Sequence, residues 1–108
     1  MILAFDTSIA AARSTQTAAP ANGGTVPATD TPKDLDIWLT PAGTIASATV
    51  TLPQNGPIGQ VVTIGTSQAI TLLNLTGAGS ILNALNTLNA GDVFQMKKLS
   101  ATTWARLT

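Results

Sequence analysis

The stretch that decides the fold is GQVVTIGTSQAITLLNL, residues 59–75. Its two arms are dense in valine, isoleucine, leucine and threonine, a composition typical of β-strands. The small polar residues at 65–67 predict a tight turn between the arms. In the second arm the apolar side shifts between Leu72 and Leu73, which requires either a bulge or burial on both faces. We therefore predict two strands joined by a turn, with few positions left for solvent.

Two more strands are predicted upstream of this stretch. Residues 35–40 alternate apolar and polar side chains with a period of two, the pattern of a half-buried strand. Residues 44–52 alternate again, and the pattern assigns to one face Ala46, Ala48, Val50 and Leu52. The turn-forming residues of PQNGP, 53–57, predict a loop before the central stretch.

Downstream, the chain predicts a closing hairpin. Residues 81–88, ILNALNTL, have apolar residues near helical spacing, but three asparagines lower helix propensity, so we expect an irregular packed loop. Residues 93–99 and 102–107 read as two strands around Ser100 and Ala101. About six strands with short turns predict an all-β fold, a small antiparallel β-sandwich or barrel. No internal repeat is evident.

The first 32 residues have a different composition. They are rich in alanine, threonine and serine and are interrupted by prolines and by Gly23–Gly24. We predict that residues 1–32 form an extended N-terminal arm and that residues 33–108 form the β-sandwich or barrel domain. Deletion of residues 2–31 is then expected to leave that domain folded. The apolar residues near the start either tuck onto this chain's own domain or anchor in a neighbour: Ile2, Leu3 and Phe5.

Composition removes several classes of function. The 108 residues include no cysteine and no histidine, so the usual transition-metal ligands and the usual general base near neutral pH are missing. Five basic and five acidic residues balance to zero net charge, without the basic surplus that nucleic-acid binding requires. No apolar run approaches the roughly 18 residues of a membrane-spanning helix, and the start lacks a basic signal-peptide region. We expect no enzymatic activity, no cofactor, no metal, and neither nucleic acid nor membrane as a partner.

Two aspartates of the chain are candidates for a paired-carboxylate site. Asp34 and Asp36 are two positions apart on a predicted strand, so their side chains point to the same face. Paired carboxylates can serve acid–base chemistry or hold a hard metal ion. Because Asp92 is the only other acid of the β domain, we favour a solvated face or the rim of an interface.

Basic and aromatic residues also occur together near the end of the chain. Lys97, Lys98, Trp104 and Arg106 mix the two types as nucleic-acid-binding strands do, but adjacent lysines on a strand point to opposite faces. Trp104 and the earlier Trp38 each lie in an apolar strand, so we interpret them as core or subunit-interface anchors rather than sugar-binding platforms.

Self-association is predicted from the excess of apolar side chains. Hydrophobic residues make up 44% of the chain and charged residues 9%. In the predicted strands, apolar residues occupy both faces at 61–62 and at 72–73, more than one small sheet can bury. A partner chain is therefore expected to cover part of this surface.

A family resemblance is carried by four segments: GQVVTI at 59–64, QAITLLNLTG at 68–77, TLNAGDVFQM at 87–96 and TTWARL at 102–107. Together they resemble a small β-domain that recurs in the structural proteins of tailed-bacteriophage virions. The order of elements is similar, from a strand ending in LP through G-Q-x-V-x-I and L-x-A-G to a last strand with W-x-R. The likeness covers residues 44–107.

The resemblance implies a virion structural protein without catalytic residues. The favoured role is a capsid decoration or cement protein on the capsid exterior, made in the host cytoplasm and stabilising the head by bridging capsid subunits. The alternative role is a head-fibre, tail-fibre or other tail-associated domain that binds a host surface receptor. The expected partners are the major capsid protein and further copies of this chain in a homotrimer. The expected contact residues are Ile2, Leu3, Phe5, Trp38, Trp104 and Arg106.

Overall fold

The computed structural model describes residues 13–107. These residues form strands and no helix, which confirms the all-β class. The strands are β1 Arg13–Ala18, β2 Gly24–Pro27, β3 Asp34–Leu39, β4 Ile45–Thr51, β5 Val61–Thr66, β6 Ile70–Thr76, β7 Ser80–Leu82, β8 Val93–Lys98 and β9 Thr103–Arg106.

The strands form two sheets with solenoid-like stacking. A six-stranded sheet has the order β1-β3-β5-β8-β9-β7, and a three-stranded sheet has the order β2-β4-β6. From β1 to β6 the chain alternates between the sheets, and each strand pairs in parallel with the strand two before it. Antiparallel pairing of whole strands joins β5 to β8 and β8 to β9. The predicted antiparallel pairing is therefore wrong for β1 to β6, where a chain that alternates between two sheets makes the neighbouring strands of each sheet parallel.

The stacked turns differ in length, which explains why the sequence shows no repeat. Arg13 pairs with Asp34, an offset of roughly 21 residues, whereas Leu35 pairs with Val62, an offset of roughly 27. A fixed period is the usual signature of stacked repeats. Corner loops of unequal length remove that signature while the strands remain in register.

The central stretch is two strands, as predicted, but they do not form a hairpin. β5 belongs to the six-stranded sheet and β6 to the three-stranded sheet, and the turn lies at 67–69 rather than 65–67. Thr66 holds this corner: its Oγ1 donates to the Gln68 carbonyl at 2.6 Å. Placing the two strands in facing sheets lets Ile64 and Ile70 bury their side chains in one core.

The core fills the space between the two sheets. Inward side chains of the parallel strands stack in rows, because partners in register lie side by side on one face. Its buried members are Val26, Leu35, Ile37, Leu39, Ile45, Ala48, Val50, Leu52, Val62, Ile64, Ile70, Leu73, Leu88, Phe94, Met96 and Trp104. Alternation correctly predicted the inward side of β3.

The alternation of residue types gave the wrong inward side at the start of β4. Ala46, predicted to share a face with Ala48, is exposed, and Ile45 faces the core instead. The side chain of Asn22 stabilises the irregular backbone, since its Oδ1 accepts hydrogen bonds from the N–H groups of Ala46 and Ser47, both at 3.1 Å. The alternation of buried and exposed residues therefore shifts by one position at Ala46. At this point the Asn22 side chain, and not a neighbouring strand, accepts the main-chain N–H groups.

The same phase change occurs in β6, where the sequence required either a bulge or burial on both faces. Ile70 and Leu73 both face the core, whereas Leu72 is exposed. β4 and β6 pair in register on both sides of the irregularity, at Ile45 with Ile70 and at Ser47 with Leu72. The alternation thus shifts at the same level in both strands, and their pairing is retained on either side of the shift.

The described part of the predicted arm belongs to the sheets. β1 pairs with β3 along its whole length, and β2 pairs with β4. Gln16 on β1 closes this end of the core: its Nε2 donates to the Pro27 carbonyl and its Oε1 accepts from the Thr29 N–H, both at 2.8 Å. Residues 13–32 of the predicted extended arm therefore contain two strands, because parallel pairing with β3 and β4 recruits this weakly patterned segment. Deletion of residues 2–31 would remove both strands.

The C-terminal strands form the edge of the six-stranded sheet opposite β1. β8 and β9 form the predicted hairpin, with β8 alongside β5. The segment 81–88 forms no helix, as expected: Ser80–Leu82 forms β7 parallel to β9, and the remainder is irregular and packs through Leu88 against Ile70.

Candidate interaction surface

The outward side of the six-stranded sheet, which we call the broad face, combines exposed aromatic, aliphatic and charged side chains. Its side chains come from strand positions that alternate with core residues. It is formed by Arg13, Thr15, Thr17, Asp34, Asp36, Trp38, Val61, Thr63, Gly65, Ser80, Leu82, Val93, Gln95, Lys97, Thr103 and Ala105.

An apolar row crosses the broad face. Trp38, Gly65 and Val93 are partners in register on β3, β5 and β8. A Cβ atom at Gly65 would lie 2.7 Å from Trp38 Cζ3 and 3.0 Å from Val93 Cγ2, so the indole occupies the space above the glycine. Trp38 remains 39% exposed and Val93 56%. The row therefore leaves an aromatic ring and an aliphatic side chain open to a partner.

A polar row lies beside it. Asp36, Thr63 and Gln95 are partners in register. The Gln95 amide donates from Nε2 to Thr63 Oγ1 at 3.2 Å, and Arg13 Nη2 lies 3.4 Å from the same oxygen. These contacts hold the side chains in a ladder across neighbouring strands.

Arg13 joins the two aspartates that the sequence singled out. Its Nε donates to Asp36 Oδ2 at 3.1 Å, its Nη2 donates to Asp36 Oδ1, and its Nη1 lies 3.5 Å from Asp34 Oδ2. Asp34 Oδ1 also accepts a hydrogen bond from the Val61 N–H at 3.0 Å. The same-face placement of Asp34 and Asp36 is confirmed. The two carboxylates are bridged by a cation.

This contact shifts both ionisation equilibria. Hydrogen bonding from the Arg13 guanidinium lowers the pKa of Asp36 below its ordinary value, against a smaller opposing effect of burial. The Asp36 carboxylate in turn raises the pKa of Arg13. Both groups are therefore charged at neutral pH, and with Asp34 the cluster has one net negative charge.

A lone cation lies across the face from this cluster. Lys97 on β8 is in register with Val61 on β5, and the Val61 N–H donates to Asp34 Oδ1 on β3 at 3.0 Å. Among residues 13–107 Lys97 forms no ion pair. Two strand spacings amount to about 10 Å. The broad face thus has a negative side on β1 and β3 and a positive side on β8.

The predicted contact residues separate into three groups. Ile2, Leu3 and Phe5 lie outside the described residues. Trp38 lies on the broad face. Trp104 is 2% exposed inside the core, the first of the two placements that the sequence left open, and exposed Arg106 shares its side of β9, away from the broad face.

Sequence reasoning missed Arg13, Gly65, Val93 and Lys97 as members of one surface. Arg13 was assigned to the arm, and Gly65 to a turn. A period of two shows which residues of one strand share a face, but not which strands are neighbours.

Within residues 13–107 no group of three or more acidic side chains is arranged to hold a metal ion, and no pocket is present. The described chain also contains no helix long and apolar enough to cross a membrane. Comparisons with protein-family models, curated proteins and solved structures found no match to this chain.

Proposed function

We propose that this chain is a structural protein of a tailed-phage virion, which decorates the capsid exterior and stabilises the head by bridging capsid subunits. The proposal rests on the resemblance of residues 44–107 to virion β-domains and on one structural observation: exposed aromatic, aliphatic and charged side chains share one face of the six-stranded sheet. Such a mixed surface suits contact with another protein, and the contact would stabilise by burial rather than by chemistry.

The physical mechanism is the removal of apolar surface from water. Each Å² of apolar surface buried contributes about 25 cal/mol. A rigid module that binds across the junction of two capsid subunits adds this free energy to the contact between them. Repeated over a shell, even a modest contact opposes separation of the subunits.

The edge strands at the start of the described chain offer a second type of contact. β1 and β2 are the terminal strands of their sheets, and each has one strand neighbour among the described residues. Free main-chain groups of an edge strand can pair with an added strand. We propose that this end faces the major capsid protein, with residues 2–12 contributing Ile2, Leu3 and Phe5 as apolar anchors.

A second candidate is a fibre or tail-associated domain that binds a host surface receptor. The exposed ring of Trp38 favours it, because tryptophan is a frequent anchor of recognition surfaces. The two candidates place the chain at different positions on the particle.

The test is to image particles that contain this chain and to add purified chain to particles that lack it. Density on the capsid surface, with delayed rupture on heating, supports decoration. Density confined to the tail or to fibres would contradict decoration of the capsid and support the second candidate. Failure to bind any particle overturns both.

A matched pair of variants tests the anchoring segment. Deletion of residues 2–12 keeps β1 and is expected to reduce capsid occupancy without changing the folded strands. Replacing the same residues by a glycine–serine segment of equal length should reduce occupancy equally. Unchanged occupancy in both variants would show that the segment is not an anchor.

A further inference from the structure

We infer that the broad face binds a second copy of this chain, face to face, around a two-fold axis that runs parallel to the strands above β5. The inference goes beyond the proposed function and does not depend on it, because the open edges of β1 and β2 stay outside this contact. Its basis is the register of the six-stranded sheet, which places complementary side chains at equal distances on the two sides of β5.

The charges of the broad face are complementary across β5. Asp34 and Asp36 lie on β3 and contact Arg13 on β1, which gives this side one net negative charge, and Lys97 lies on β8. β3 and β8 are the two neighbours of β5, so they lie at equal distances from it. Val61 separates Lys97 from Asp34, and within the described chain Lys97 forms no ion pair. The face thus presents both charges of an ion pair to a partner.

A two-fold axis above β5 joins these charges between two copies. Rotation about an axis parallel to the strands exchanges β3 of one copy with β8 of the other and keeps each residue at its own level along the strands. Val61 on β5 pairs with Lys97 and lies level with Asp34, whose carboxylate accepts its N–H. Asp34 of each copy therefore faces Lys97 of the other, and the ion pair forms twice in one contact.

The apolar row obeys the same symmetry. Trp38 and Val93 lie at one level, on either side of Gly65, and are 39% and 56% exposed. The indole lies above Gly65, directly beneath the axis, so the rotation brings the two indole rings together. Val93 of each copy then covers Trp38 of the other. Aromatic pairs gain free energy beyond their buried area, and the spacing of about 10 Å between packed sheets leaves room for two such layers.

The charges also select this axis from other two-fold arrangements. An axis between β5 and β8 would overlap all six strands, but it would place Asp34 against Ala105, which has no charge. An axis across the strands, at the level of Thr63, would place Asp34 against Trp38 of the other copy. Neither arrangement joins opposite charges. The axis above β5 does so and leaves only β7 outside the overlap.

The overlap predicts a dimer of modest affinity. Five strands spaced about 4.8 Å apart cover about 19 Å, and six residues of strand extend about 20 Å. The resulting footprint of about 400 Å² per copy is below the roughly 800 Å² per partner of a standard stable interface. Association is therefore expected in the micromolar range, and added salt should weaken it, because partly exposed ion pairs are screened.

Analytical ultracentrifugation and native mass spectrometry of the full chain, over a concentration series, test the two-copy state. The wild-type chain is expected to pass from monomer to dimer. Lys97→Asp and Asp34→Lys should each weaken self-association at least tenfold, because each variant opposes like charges. Mixing the two variants should restore a dimer as the heterodimer, since both of its ion pairs then join opposite signs. Arg106→Asp, the same charge change at an exposed position away from the broad face, should have no effect.

A cross-link tests the position of the axis. Thr63 lies on β5 at the axis, and the chain has no cysteine of its own. Thr63→Cys should therefore join two copies through a short bis-maleimide. Thr49→Cys, on the outward side of the three-stranded sheet, should not.

Circular dichroism of each variant establishes that the strands are retained. A dimer that Lys97→Asp does not weaken, or equal cross-linking of both cysteine variants, overturns the broad face as its surface. A wild-type monomer at the highest concentration, or the trimer that the family resemblance implies, overturns the two-fold arrangement. Capsid binding by such a chain would leave the proposed function standing, and a dimer that binds no particle would refute that function alone.

Discussion

The indole of Trp38 occupies the space above Gly65 where any other residue would place its Cβ. The distance from such a Cβ to Trp38 Cζ3 would be 2.7 Å. The backbone of Gly65 does not have a positive φ, so a side chain is excluded by the ring and not by backbone conformation. This contact connects a strand interior to the exposed apolar row of the broad face.

Gly65→Ala is expected to push the Trp38 ring away from the sheet. Because the ring is partly exposed it can move, and alanine is favoured over glycine in strands by roughly 0.5–1 kcal/mol, so the free energy of unfolding should change little. Acrylamide quenching of tryptophan fluorescence should increase. Gly43→Ala is the control, since a Cβ there meets nothing within 4 Å. Equal quenching in both variants would contradict the assigned contact.

The Arg13–Asp36 contact predicts a small loss of stability in acid. The folded chain lowers the pKa of Asp36, so its contribution is present above the unfolded pKa of about 3.9 and is lost as pH falls through the lowered folded value. Both side chains are more than a third exposed, so Asp36→Asn should cost only about 0.2–1 kcal/mol at pH 7. Urea unfolding at pH 7 and below pH 4 measures the difference, which should shrink in acid. A constant difference would argue against charge as its cause.

The two tryptophans are expected to respond differently to truncation. Trp104 is buried in the core, so Trp104→Ala should lower the free energy of unfolding by about 3–5 kcal/mol. Trp38→Ala at protein concentrations too low for association should cost about 1 kcal/mol or less. Urea unfolding of both variants at the same low concentration makes the comparison. A large effect of Trp38→Ala under these conditions would place that ring in the core.

The buried amide of Gln60 predicts that Gln60→Glu destabilises the fold more than Gln60→Leu does at pH 7. Its Nε2 donates to the carbonyls of Thr31 and Lys33 at 2.8 and 2.7 Å, and the side chain is 2% exposed. Gln60→Leu leaves both carbonyls without this donor and should cost about 2 kcal/mol or more. Gln60→Glu should cost more at pH 7, because a buried carboxylate would face two carbonyl oxygens, and less in acid, where a protonated carboxyl can donate. Thermal unfolding at pH 7 and pH 4 tests the ranking, which a wild-type melting temperature for Gln60→Glu would refute.

Local pattern was sufficient for the strands with strong alternation. β3 has apolar residues at every second position, and the sequence correctly assigned its buried side and the hairpin that joins β8 to β9. The loop at 53–57 was equally clear, because two prolines flank an Asn-Gly pair. These features depend on residues close together in the chain.

Only the tertiary structure decided which strands are neighbours. A period of two is the same for a strand in either sheet and in either direction, so it could not distinguish stacked parallel strands from an antiparallel sandwich. β1 and β2 have small or polar residues at most positions and become strands by pairing with β3 and β4. Likewise, Arg13 meets Asp36 across 23 positions, and Trp38 meets Gly65 from another strand. The sequence by itself determined where the β structure is strongest, and long-range pairing determined the sheets and the surface they present.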